Sequence, residues 1–153
     1  HRMLFINSTT ELNAKWKTNA DEAEKVSLVI QLLKGQFNAN GKIWDESTIG
    51  VITPYRAQIS LIKSILPPEN KIMVDTVERY QGGAKDIIII SFCTNKLSQL
   101  NTLIVNSDQG VDRKLNVALT RAKEQIIIIG NEDILSTNPV YQKLINYCKK
   151  VIL

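Results

Sequence analysis

The sequence has one histidine, His1, and two cysteines, Cys93 and Cys148. A single imidazole leaves almost nothing from which to build a zinc centre or a Ser-His nucleophile. The two cysteines are far apart and match no metal-ligand spacing. They read as reduced thiols of a cytosolic protein, nuclear if the source is a eukaryote, and not as a disulfide framework. No apolar run approaches the roughly 20 residues needed to span a bilayer. The first ten residues, HRMLFINSTT, lack the apolar core and small-residue cleavage site of a secretory leader. Internal repeats and low-complexity tracts are absent. So is any G-x-x-x-x-G-K-[ST] loop, the usual cradle for nucleotide phosphates, and no Asp-Glu pair of the magnesium-binding type follows an apolar strand.

What remains is the composition of an ordinary globular chain. Its 153 residues suffice for one domain with a real core. It is 44% hydrophobic and 22% charged. The net charge of +4 is unevenly spread: residues 1–50 balance six basic against six acidic side chains, while residues 51–153 hold thirteen against nine. Such an excess points to nucleic acid only where the charges converge on one face.

Apolar periodicity orders the chain. MLFIN (3–7) reads as a strand, followed by a polar loop. Residues 19–37 form a helix: Asn19 can cap it, Glu22 stands where a capping box places its acid, and Gly35 marks its end. Strands are expected at 48–53, 71–77, 86–93 and 125–130, and helices at 55–66, 112–123 and about 139–150. Residues 78–85 read as a turn with paired glycines, and residues 94–111 as a polar loop. DIIIISFC is a nearly continuous β-branched run, as in a strand buried on both faces. Strands alternating with helices predict an α/β fold, a mostly parallel sheet with helices on both faces. In such sheets ligands meet the loops at the carboxyl ends of the strands.

Three stretches carry chemistry. In LNVALTRAK (115–123), Leu115, Ala118, Leu119 and Ala122 share one helical face. Arg113, Asn116 and Thr120 lie opposite, with Arg121 beside them. Arg121 and Lys123 either complement the helix dipole or reach an anion. A permanently charged, forked guanidinium suits a phosphate. In VITPYRAQ (51–58), a strand runs through Thr53-Pro54 into a helix whose free N–H groups could meet a phosphate, or the segment is an ordinary helix start. In VDTVERYQGGAKD (74–86), Thr76 follows a strand, and Gln81-Gly82-Gly83 makes a tight turn where backbone could approach a ligand. A plain connecting loop would explain the glycines, but not the crowding of Thr, Glu, Arg, Tyr and Gln.

Taken in this order and spacing, the three stretches resemble motifs IV, V and VI of superfamily 1 helicases. The likeness is to the Upf/Dna-like branch, with its TPY-x-x-Q, T-V-x-x-[FY]-Q-G and N-V-A-L-T-R-A-K signatures. It runs from about residue 19 to about residue 147. The resemblance implies a RecA-like domain, the second of two that hold ATP between them, with the phosphate loop and most of the ATP and Mg2+ contacts on an N-terminal domain of the same protein. It implies that Arg121 is the arginine finger, and that Gln81 and Gly82 sit at the nucleotide cleft. Thr53 and Thr76 would bond the backbone of single-stranded nucleic acid. Arg56, Arg79, Lys96 and Lys114 are candidates for a basic track along it. The branch implies 5′-to-3′ movement, and these 153 residues alone are not expected to hydrolyse ATP. The pattern departs from the family at Ala84, where a glutamate commonly meets the nucleotide sugar. Two other readings stay open: a nucleic-acid-binding module that has lost the motor, and a generic α/β domain for a small anion or a protein.

Overall fold

A computed structural model describes residues 2–11, 13, 17–69, 71–80, 83–103 and 112–153, the side chain of residue 102 excepted. Strands β1 (Met3–Asn7), β2 (Ile49–Ile52), β3 (Met73–Asp75), β4 (Lys85–Ser91), β5 (Ala122–Gly130) and β6 (Lys149–Val151) form one sheet in the order β3-β2-β4-β5-β1-β6. Every pairing is parallel. The α/β expectation therefore holds.

The isoleucine runs of β4 and β5 feed two cores. Successive side chains of a strand point to opposite faces. Ile87, Ile89, Ile127 and Ile129 pack beneath helices α1 (Ala20–Ala39) and α2 (Arg56–Ile65), whereas Ile88, Ile90, Ile126 and Ile128 pack beneath α4 (Arg113–Thr120) and α6 (Pro139–Tyr147). Burial of each such side chain stabilises the fold by about 1.5–3 kcal/mol.

Several expected boundaries shift. The first helix does not stop at Gly35 but runs to Ala39. Glycine inside a helix costs roughly 1 kcal/mol relative to alanine. The added turn carries Phe37, whose ring meets Trp44 edge-on at 5.4 Å. The true stop is Gly41, whose φ of +65° is the left-handed conformation that ends many helices. Residues 94–111 are not simply a loop: Leu97–Gln99 form a 3-10 turn that leads into a short helix, α3 (Leu100–Leu103). The helix expected over 112–123 ends at Thr120, and Ala122 and Lys123 already belong to β5. A short helix α5 (Glu132–Leu135), capped by Asn131, was not foreseen. The last helix ends at Tyr147, after which the chain pairs with β1 as β6.

Candidate functional site

Arg121 sits between α4 and β5, one residue outside each. Its N–H donates to the Ala118 carbonyl at 3.2 Å, and its own carbonyl accepts from the Lys85 N–H at 2.9 Å. The residue is thus pinned by backbone at the amino ends of β4 and β5, and not at the carboxyl ends where such sheets usually meet ligands. Lys123 does not complement the helix dipole; it lies in β5 with Asp86, 3.5 Å away. Arg113, Asn116 and Thr120 are exposed and Leu115 and Ala118 buried, as the helical spacing required.

Tyr80 lies within reach of the Arg121 charge. A side chain at Gly50 of β2 could not coexist with this ring: its Cβ would fall 1.7 Å from Tyr80 Oη and 3.2 Å from Lys85 Cγ. Glycine here leaves room for the hydroxyl end of the tyrosine against the sheet. Lys85 is itself buried, its Nζ donating to the Glu46 carbonyl at 2.6 Å. Burial pushes the Tyr80 phenol up to about 12, against the pull of the Arg121 charge. Tyr80 Oη and Arg121 Nε are both buried without a hydrogen-bond partner among the described residues. Gly83, at φ +69°, and the exposed Ala84 complete this end. Gln81 and Gly82 lie outside the described residues.

Thr53 and Thr76 lie at the opposite, carboxyl end. Thr53 N–H donates to the Asp75 carbonyl at 3.2 Å, and its hydroxyl is buried with no partner among the described residues. Thr76, also buried, donates its N–H to Asp75 Oδ1 at 2.8 Å and accepts from the Arg79 N–H at 3.2 Å. The following helix α2 begins without a side-chain cap at Tyr55, leaving its first N–H groups open to an anion. Arg56, Arg79 and Lys96 are exposed around this edge. Lys114 is already engaged, 2.5 Å from Glu78. Partial burial pushes the Glu78 carboxyl up, but Lys114 outweighs this and holds it below the usual glutamate range. A cavity of about 240 Å³ opens between Thr53, Val77, Phe92, Leu115 and Tyr141.

Sequence reading missed the polar network behind this edge. Gln58, which closes VITPYRAQ, is fully buried: its Oε1 accepts from the Asn19 N–H at 2.8 Å and its Nε2 donates to the Asn19 carbonyl at 2.9 Å. Its signal was a glutamine on the apolar side of a helix. Asn19 caps α1 as expected, accepting from the Glu22 N–H at 2.8 Å. The Glu22 carboxylate does not reach back to complete a capping box, because Gln58 already holds the Asn19 N–H. It turns inward, where Oε2 accepts from Ser91 Oγ at 2.6 Å and the Cys93 N–H at 2.8 Å, and Oε1 from Ser8 Oγ at 3.1 Å. Cys93 holds a φ of +53°, a strained value for a residue with a side chain. These bonds aim the turn that presents Lys96, whose N–H donates to Gln99 Oε1 at 2.8 Å.

The two ends are well separated. Strand register puts Ile52 beside Ile90 and Lys85 beside Ala122. At about 3.3 Å per residue, Thr53 and Arg121 stand roughly 25 Å apart along the strands. One segment, residues 76–84, leaves the carboxyl end of β3 and arrives at the amino end of β4, with no helix among its described residues.

Comparison with known proteins shows the family. A family model described as an AAA domain matches residues 2–133. An uncharacterised ATP-dependent helicase of Methanocaldococcus jannaschii is 38% identical over 136 residues, covering 87% of this chain and 18% of the relative. The DNA replication ATP-dependent helicase/nuclease of Arabidopsis thaliana is 34% identical over 150 residues, covering 97% and 11%. Its namesake in Schizosaccharomyces pombe is 32% identical over 151 residues, covering 98% and 10%. The chain thus spans less than a fifth of the length of each of these relatives. With its parallel sheet and its three motifs in register, the chain belongs to this AAA domain family, as the C-terminal helicase domain of superfamily 1 helicases of the Upf/Dna-like branch.

Proposed function

We propose that the chain is the second RecA-like motor domain of an ATP-driven helicase or translocase acting on DNA or RNA. Arg121 is its arginine finger, with Gln81 and Gly82 beside it at the nucleotide cleft. Thr53 and Thr76, with Arg56, Arg79 and Lys96, carry the single strand; Lys114 joins them once its pairing with Glu78 opens. The observation that carries this reading is the separation of the two ends, bridged by residues 76–84. A motor must bind fuel and track at different places and connect them.

The residues suit these ligands. An arginine whose backbone is fixed at a strand end and whose side chain is half-buried suits an arriving phosphate. Among the described residues no group of three His, Cys, Asp or Glu side chains could hold a metal. The family resemblance instead implies that magnesium is held with the nucleotide, mainly by an N-terminal domain of the same protein. Ala84 favours the second reading, a nucleic-acid-binding module without a motor, because it removes the family's sugar-side glutamate.

ATP turnover by the full-length parent, with and without single-stranded DNA and RNA, decides between them. Arg121→Ala should lower strand-stimulated turnover by about 10³-fold or more, leaving strand binding intact. The isolated 153 residues should show no turnover. A parent that never hydrolyses ATP, or one indifferent to Arg121, would leave only the binding module.

A further inference from the structure

Tyr80 and Arg121 present a matched pair of unmet needs. An arginine Nε–H is a donor, and a phenol oxygen is an acceptor as well as a donor. Both atoms are buried, and neither has a partner among the described residues. A buried donor or acceptor left unsatisfied is costly, so native structures rarely keep one without use. The two groups belong to the same end of the sheet: Tyr80 Oη and the Lys85 stem crowd the same point above Gly50, and the Lys85 N–H holds the Arg121 carbonyl.

Burial of Nε limits what can satisfy it. A phosphate arriving from solvent can reach the two terminal nitrogens of Arg121 but not an Nε shielded from water. The partner must come from within the domain. We propose that Tyr80 is a positioning residue for Arg121: its hydroxyl accepts the Nε–H when the finger engages, fixing the guanidinium plane so that both terminal nitrogens face the phosphate. The inference rests on the arginine-finger reading above.

Tyr80→Phe removes the oxygen and keeps the ring on Gly50. In the full-length protein it should lower strand-stimulated kcat about tenfold, the weight of one hydrogen bond to a charged group made in the transition state. The KM for ATP, single-strand affinity and melting temperature should not change. In an Arg121→Ala background the same substitution should have no further effect, because the group it positions is gone. A kcat within twofold of wild type would overturn the proposal. So would a loss that persists in the Arg121→Ala background, or one that tracks a fall in melting temperature. If Arg121→Ala itself leaves turnover intact, the finger reading fails, and Tyr80 has nothing to position.

Discussion

Replacing Glu22 by glutamine should abolish a pH dependence that the wild-type chain carries in its core. The carboxyl is fully enclosed, and burial pushes its pKa up to about 7 from 4.5, although Ser91, the Cys93 N–H and Ser8 all favour the charged form. Between those two values the folded chain binds a proton that the unfolded chain does not. Stability from this group is therefore complete below pH 4.5 and is lost as pH rises through 7. The whole change is about 3 kcal/mol, of which roughly 2–3 falls between pH 5 and 8. Glutamine has nearly the same shape: its oxygen can accept from Ser91 and Cys93, and its amide can donate to Ser8. Urea unfolding of both chains across pH 5–8 isolates the effect, because all other titrations cancel in the difference. Wild type should lose ground against Glu22→Gln as pH rises, levelling off above about 7. A difference that stays constant, or one that moves in favour of wild type at high pH, would refute the reasoning. It would mean that the carboxylate is ionised throughout and held by its three donors.

Two glycines should respond to alanine in opposite ways. Gly50→Ala drives a methyl group into Tyr80 and should cost about 1–3 kcal/mol, seen as a lowered melting temperature. Gly35→Ala meets no atom within 4 Å inside a helix and should stabilise by roughly 1 kcal/mol. Both thiols should resist Ellman's reagent in the native chain and react fully in denaturant. Burial pushes Cys148 up to about 11, and burial together with the Glu22 and Glu11 charges pushes Cys93 higher still.

Local pattern disclosed the sheet and the motifs because their signals are local. The isoleucine runs of β4 and β5 could hardly be anything but central strands, and Asn19 announced its helix one residue ahead. Where the reading slipped, a distant contact had decided. Ala122, Lys123 and Glu124 are good helix formers, yet Lys85 draws the chain into the sheet at Arg121, so this arginine stands just past the helix and not on it. β6 is three residues with two lysines and becomes a strand only through β1. Glu22 resembled half of a capping box, but Gln58, far along the chain, had taken the other half. The Gly50–Tyr80 contact leaves no trace in either local stretch, since it exists only once β2 and the 76–84 segment meet.

The strands that finish the sheet on either side, β3 and β6, are each three residues long, and β6 begins with two exposed lysines. An outermost strand that short offers little unpaired backbone to another chain, and lysines discourage such pairing further. Growth of the sheet into a neighbouring molecule is thereby disfavoured. In the proposed motor, association with a companion domain would fall to the loops at the strand ends, where contacts are polar and side-chain based. Contacts of that kind can open and close readily, as the proposed motor would require, whereas a continuous β-ladder shared between two domains would have to be unzipped each time.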